Sequence, residues 1–189
     1  MHQVVPYGIK MCYYTFMAIL LPIYSYHYPL TNFFNLCDLT LIMALLSFLT
    51  DTYLFISMSA LSISIIQLFW SIDFTCETLG IKFLGISEYM YDLNLPWYLR
   101  FLSLFHMWFP FFLLYSINQV GYDPRALYYQ LILSNSICLL SYYNSDLYND
   151  NVNVMQDFHI LQHLIAHPVM IISTHYFLIW WDDTNLKIQ

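Results

Sequence analysis

Six apolar stretches, each about as long as a membrane-crossing helix, follow one another along this 189-residue chain. A helix of about 20 residues crosses the hydrocarbon core of a bilayer, so stretches of this length predict transmembrane spans. The predicted spans lie near 11–28, 33–49, 52–72, 98–118, 126–143 and 159–181. The connections are mostly short and no internal repeat is visible. The sequence therefore predicts one all-α domain over 1–189, a polytopic transmembrane bundle of antiparallel helices.

Charged residues are scarce, which supports the same interpretation. Only 9% of the residues are charged and 60% are hydrophobic, whereas soluble domains carry about 25% charged residues. A net charge of −7 with only five Lys and Arg residues argues against a nucleic-acid partner, which needs clustered positive charge. We therefore expect membrane lipids as partners, and other membrane subunits as a second class of partner.

Six spans place both chain termini on one side of the membrane. Lys10, Arg125 and Lys187 share that side, and Lys82 and Arg100 lie on the other. Because cytoplasmic loops carry an excess of Lys and Arg, this distribution favours cytoplasmic termini. Few lysines with many Tyr, Phe, Ile and Asn residues are typical of an AT-rich genome. We expect an integral protein of a bacterial inner membrane or an organellar membrane.

Ionisable residues recur early in three of the spans. Asp38 lies about five residues into the second span, His106 about eight into the fourth, and His163 and His167 about four and eight into the sixth. These spans run in the same direction, so the helical rise of about 1.5 Å per residue places the side chains at similar depths. Such residues are costly in hydrocarbon and usually face the bundle interior. We predict one polar pocket, which includes Asn35 because it shares a helix face with Asp38.

Interhelical hydrogen bonding is the structural alternative for each of these residues, and it is worth about 0.6 kcal/mol per contact. That role is the more common one for any single residue, so only the shared depth of the set favours a functional pocket. Two prolines support the pocket. Pro110 frees the backbone carbonyl of His106, and Pro168 frees that of Leu164. His175 is interpreted as an interfacial or packing residue.

Nucleophilic catalysis is the first chemistry that fits the pocket. Cys37 or Thr40 on span two attacks a lipid ester, His106 acts as general base, and Asp38 orients or stabilises it. An enzyme with this chemistry is a lipid-ester hydrolase or an acyltransferase. No G-x-S-x-G motif is present, which excludes the usual serine hydrolase elbow.

Metal binding is the second chemistry. His163 and His167 lie four residues apart, so both can reach one ion, and His106 with Asp38 completes a four-ligand set. The cofactor prediction is therefore either none or one transition-metal ion. A non-catalytic membrane component is the third hypothesis: a scaffold subunit, or a small transporter that relays protons through the Asp–His layer. The lack of an internal repeat weighs against the transporter.

Several short motifs resemble a family of uncharacterised bacterial membrane proteins. The matching pieces are NLCDLTL (35–41), LFWSIDF (68–74), SEYMYDLNLP (87–96), RFLSLFHMWFP (100–110), GYDPRAL (121–127), NVNV (151–154) and STHYF (173–177). The resemblance implies a six-span membrane protein without an assigned activity, and STHYF as a family motif implies a role for His175. A looser similarity is to androgen-induced fatty-acid-ester hydrolases. It implies that Thr40, or Cys37, works together with His106.

Overall fold

A computed structural model of the chain describes residues 4–143 and 165–186, and all regular elements in these two ranges are helical. The helices are α1 (Tyr7–His27), α2 (Leu36–Thr50), α3 (Leu54–Thr78), α4 (Trp97–Ser103), α5 (Phe105–Val120), α6 (Ala126–Tyr143) and α7 (His167–Leu186). Two short 3₁₀ turns lie at Leu30–Phe34 and Glu88–Tyr91. The all-α prediction is confirmed.

The helix boundaries follow the predicted ones closely, with one break. The prediction of 126–143 coincides with α6, and part of 159–181 lies outside the described residues. The predicted span 98–118 consists of two helices, because α4 and α5 meet at Leu104. Short-range hydrogen bonds tighten the chain there: Met107 N donates to Leu104 O at 3.0 Å. The break lies about two turns before Pro110, whose ring crowds the preceding turn.

Six membrane spans are not confirmed. Among the described residues, two helical stretches are long and apolar enough to cross a membrane, Leu54–Thr78 and Trp97–Val120. The 15 residues of α2 extend about 22 Å, short of a hydrocarbon core of about 30 Å. Two long apolar helices are weak evidence of membrane association, because a buried core helix of a soluble protein passes the same test.

Helix α3 lies at the centre of the packing. It contacts α2, α5, α6 and α7, while α1 packs against α2 and α4. Tyr13 ties α1 to this assembly: its hydroxyl donates to Leu41 O at 2.7 Å, and its ring stacks on Phe112 with centroids 4.8 Å apart. The hub position of α3 means that its side chains border most of the interior.

Charged groups concentrate at the two ends of the bundle. We call the end with the start of α1 and the turns at 51–53 and 121–125 the Lys10 end, and the end with segments 28–35 and 79–96 the Lys82 end. Ion pairs lie at both, Lys10–Asp51 at 2.9 Å and Lys82–Glu88 at 3.7 Å. The helix surfaces between the ends expose large apolar side chains such as Ile19, Leu68, Phe111, Ile132 and Trp180.

Candidate functional site

Asp38 lies in the first turn of α2, near the Lys82 end. The 3₁₀ turn Leu30–Phe34 brings Asn32 back over the start of α2, and Asn32 Nδ2 donates a 2.7 Å hydrogen bond to Asp38 Oδ2. Asn35 Nδ2 donates in turn to Asn32 Oδ1 at 3.2 Å. The link between the two predicted residues therefore runs through Asn32, which sequence reasoning missed.

The Asp38 carboxyl is buried without a charged partner among residues 4–143 and 165–186. Its residue is 7% exposed, and the ion pairs found in these ranges join other side chains. The nearest source of positive charge is the N-terminus of α2, which carries about half an elementary charge. Asp38 is thus surrounded by polar groups that are formally neutral.

Tyr24 and Ser103 connect Asp38 with His106. Tyr24 on α1 lies within electrostatic range of Asp38, and its hydroxyl is 3.3 Å from Ser103 Oγ. Ser103 Oγ donates to Leu99 O at 3.0 Å, so the Tyr24 hydroxyl is the donor to Ser103. The carbonyl of Ser103 accepts from His106 Nδ1 at 2.8 Å. The structure therefore brings Asp38 and His106 into one cluster without a direct hydrogen bond between them.

The His106 ring is held between two aromatic rings. Its centroid lies 4.1 Å from that of Phe105 and 4.7 Å from that of Trp70, both nearly parallel. Because Nδ1 donates to a carbonyl, Nε2 of the neutral ring carries the lone pair. The carbonyl that Pro110 frees lies 3.4 Å from Ser71 Oγ on α3.

The two predicted nucleophiles are directed elsewhere. Thr40 is buried and its hydroxyl donates to Cys37 O at 2.8 Å, inside its own helix. The Cys37 thiol approaches the side chain of Gln67 on α3. Gln67 is fully buried, and neither its amide nitrogen nor its oxygen has a hydrogen-bond partner of regular geometry. Within the described ranges no hydrogen bond joins Cys37 or Thr40 to His106.

The predicted metal ligands that lie among the described residues, Asp38, His106 and His167, do not come together. No group of three His, Cys, Asp or Glu side chains in residues 4–143 and 165–186 is close enough to hold a metal ion. Asp38, His106 and His167 therefore form no ligand set by themselves. His163 lies outside the described residues, as does Leu164, whose carbonyl was expected to be freed by Pro168.

His167 also lies at a different depth from His106. Its Nε2 donates to Ser62 O at 3.2 Å, whereas His106 stacks on Trp70. Ser62 and Trp70 are eight residues apart on α3, which is about 12 Å along the axis. The expectation of one common depth is wrong for this pair, because α7 packs against the middle of α3.

Asp73 is a polar anchor that sequence reasoning missed. It lies near the end of α3 and is fully buried. Its Oδ1 accepts from Leu84 N at 2.6 Å and Gly85 N at 3.0 Å, and its Oδ2 accepts from Ser87 N at 2.8 Å and Ser87 Oγ at 2.7 Å. An aspartate inside the apolar piece LFWSIDF was the available signal. These bonds fix the loop that carries Tyr89 towards Trp70.

A second buried polar pair lies at the Lys10 end. The Tyr122 hydroxyl and His175 Nδ1 are 2.6 Å apart, and both residues are at most 9% exposed. The adjacent Asp123 N donates to Ser57 Oγ at 3.0 Å, which joins the turn to α3. Burial raises the pKa of the Tyr122 phenol. His175 is therefore a buried, hydrogen-bonded residue, one that joins α7 to the GYDPRAL turn.

Two carboxylates at the Lys10 end contrast with Asp38, because each has a cation beside it. Lys10 Nζ donates to Asp51 Oδ1 at 2.9 Å, and this bond lowers the pKa of Asp51. Arg125 donates two hydrogen bonds to Asp123, from Nη2 to Oδ2 at 2.7 Å and from Nε to Oδ1 at 3.0 Å, and these bonds lower the pKa of Asp123. Asp51 and Asp123 are thus each paired with a cation, whereas the hydrogen-bond partner of Asp38 is the neutral Asn32.

No family model, curated protein or solved structure matches the chain. The resemblance to bacterial six-span proteins and the looser one to fatty-acid-ester hydrolases therefore stay predictions.

Proposed function

We propose that the chain is an integral membrane protein that binds a proton at Asp38 and relays it towards His106. The membrane placement is supported by the surface between the two charged ends, where side chains such as Leu68, Phe111 and Ile132 are at least half exposed. Soluble monomers rarely expose large contiguous apolar areas. An apolar surface of this kind matches the hydrocarbon environment of a bilayer.

The observation that carries the proton proposal is the buried Asp38 carboxyl with a neutral hydrogen-bond partner. Burying an ion has an effective cost of several kcal/mol. The bond from Asn32 returns about 1.5–3 kcal/mol when its acceptor is charged, and the α2 N-terminus about 0.3–1 kcal/mol. These terms are comparable, so neither protonation state is strongly excluded. A carboxyl balanced in this way takes up and releases a proton readily.

The neighbours of Asp38 connect it with His106. The Tyr24 hydroxyl donates to Ser103 Oγ, and the Ser103 carbonyl accepts from His106 Nδ1. That carbonyl orients the ring and carries no exchangeable proton, so in the proposed relay the proton is received at Nε2, the ring nitrogen with the lone pair. Proton relays in membrane proteins are usually built from Asp, Glu and His side chains.

Infrared difference spectroscopy tests the proton directly. Purified protein in lipid vesicles is titrated, and the carbonyl stretch of a protonated carboxylic acid is followed. We expect a band in the wild type that persists above the pH range in which exposed carboxyl groups ionise, and we expect Asp38→Asn to remove it. Asp92→Asn, on an exposed residue of the Lys82 end, is the matched control and keeps the band. A wild-type spectrum without such a band rejects the proposal.

Proton flux separates a relay from a scaffold. Vesicles that enclose a pH-sensitive dye report proton uptake after an imposed pH step. Asp38→Asn preserves shape and an acceptor oxygen, and His106→Gln keeps an N–H donor for the Ser103 carbonyl, so a scaffold tolerates both changes. A relay loses flux in both variants, while Asp92→Asn keeps it.

A lipid-ester hydrolase is the second candidate, and the free lone pair of His106 Nε2 is the observation that favours it. In this reaction Cys37 Sγ attacks the ester carbonyl, its proton passes to Nε2, and the alcohol leaves with that proton before water cleaves the thioester. The separation of Cys37 from His106 weighs against it. Turnover of a fluorogenic lipid ester that is lost in both Cys37→Ala and His106→Gln supports this candidate over the relay.

A further inference from the structure

We infer that a groove between α3, α5 and α7 binds one hydrocarbon chain of a membrane lipid. The groove encloses about 500 Å³, within the range of cavities that hold a drug-sized ligand. Its walls include Leu68 on α3, Phe111 and Leu114 on α5, and Phe177 on α7. The inference rests on the membrane placement proposed above, and it is independent of the proton at Asp38.

The chemistry of the walls selects an apolar ligand. Four hydroxyls line the groove, and three of them already donate to a carbonyl four residues back in their own helices. These three bonds are Ser71 to Gln67 O, Ser173 to Val169 O and Thr174 to Met170 O, all at 2.8 Å. The hydroxyl of Ser64 has no partner, and a serine in a helix reaches the carbonyl one turn back by a side-chain rotation. The groove therefore offers no charged group and few free donors to a polar head group.

The groove opens sideways, towards the place where lipid chains lie. Leu68 is 52% exposed, Phe111 66% and Phe177 42%, and these side chains form its rim. Two of its three walls belong to Leu54–Thr78 and Trp97–Val120, the helices with the length and apolar character of spans. In a bilayer the molecules that reach this opening at high concentration are acyl chains.

The length of the groove favours a chain over a partner helix. Its lining runs from Ser64 to Ser71 on α3 and from Met107 to Leu114 on α5, which is about two helical turns, or roughly 11 Å. A partner helix docks along several turns. A single flexible hydrocarbon chain fits a short, deep groove between three helices better.

Photolabelling in vesicles tests the site. The full-length protein is reconstituted with phosphatidylcholine that carries a diazirine in one acyl chain, illuminated, digested and mapped by mass spectrometry. We expect adducts concentrated at Met107 and Leu114 in the groove. Ser173→Trp projects an indole into the groove and removes these adducts, while Ile132→Trp, on the exposed face of α6, leaves them in place.

The possible outcomes distinguish a failure of the lipid site from a failure of the membrane placement. Labelling around Ile19 and Ile132 with none in the groove overturns the lipid site and keeps the membrane placement. No labelling anywhere overturns both. Exchange of Phe111 for a photoreactive phenylalanine then identifies the occupant. An adduct of lipid mass supports the inference, and an adduct with a second protein chain overturns it in favour of a partner helix.

Discussion

At Asp38 the hydrogen bond from a single amide offsets part of the desolvation cost of the buried carboxyl. Asn32 Nδ2 lies 2.7 Å from Asp38 Oδ2, and Asn32 is itself only 4% exposed. Removing one partner of a buried pair leaves the other with its full desolvation cost, which exceeds the net worth of the bond. Asn32 therefore contributes more to stability than its position in a short 3₁₀ turn suggests.

Replacing Asn32 with alanine is expected to lower the free energy of unfolding by about 1–3 kcal/mol, because Asp38 loses its donor. Asp38→Asn keeps the shape without the charge, and its loss is expected to be smaller. Asn94→Ala is the control: Asn94 is exposed and donates to Asp92 at 3.0 Å, so its effect stays within about 0.5 kcal/mol. Tryptophan fluorescence during thermal unfolding in detergent measures the three variants. Equal stability of Asn32→Ala and wild type contradicts the argument.

Both ends of α3 are fixed by polar bonds to loops. Asp73 holds the 84–87 loop at one end, and Ser57 accepts the backbone N–H of Asp123 at the other. Bonds of this kind satisfy backbone amides of the loop, which have no partner in a helix or sheet. Helix α3 thus positions the 84–87 loop, at the same end of the bundle as Asp38, and the 121–125 turn at the opposite end.

Asp73→Asn tests the loop anchor. One of the two acceptor oxygens becomes a donor, so it faces either the N–H groups of Leu84 and Gly85 or the Ser87 N–H. We expect a loss of about 1–3 kcal/mol in unfolding free energy and faster protease cleavage near 80–88. Asp92→Asn, exposed on the following turn, is the matched control. Unchanged cleavage in Asp73→Asn would show that the loop is held by other contacts.

The start of α6 is stabilised in a pH-dependent way by Asp123. Its Oδ1 accepts from Arg125 N at 3.0 Å and its carboxylate pairs with the Arg125 side chain, so the pKa of Asp123 is lowered below its ordinary 3.8. A lowered folded pKa gives stability that is present above the unfolded pKa and is lost as pH falls through the folded pKa. Arg125 is 75% exposed, which limits the ion-pair part to about 0.2–1 kcal/mol.

Asp123→Asn is therefore expected to be less stable than wild type at neutral pH by about 0.5–2 kcal/mol, the range for a helix-start side chain. The difference should shrink once the pH falls below the unfolded pKa of about 3.9. Unfolding midpoints of both proteins across this range measure it. A difference that stays constant with pH would assign the loss to the turn conformation and not to the charge.

On the scale of the whole molecule, the sequence predicts what is local and misses what packing decides. Helices could be placed because apolar length and turn residues are properties of neighbouring residues, and 126–143 coincides with α6. Asp38 and His106 could be singled out because ionisable groups stand out in apolar helices. Asn32 and Tyr24 could not, since they reach the site only by tertiary contact. The depth of His167 was missed because the register of α7 on α3 is set by packing.

The orientation of the whole molecule in a membrane gives the last prediction. Lys10 and Arg125 lie at one end and Lys82 and Arg100 at the other. The sequence prediction adds Lys187, which lies outside the described residues, to the side of Lys10, so we predict that the Lys10 end faces the cytoplasm. Single cysteines at Asp51 and Asp92, in a chain whose native cysteines are replaced by alanine, are treated with a membrane-impermeant thiol reagent in intact cells. We expect labelling at position 92 alone, and labelling at position 51 alone reverses the orientation. Labelling of both positions from outside contradicts the bundle as a membrane-crossing unit, because its two charged ends would then share one side.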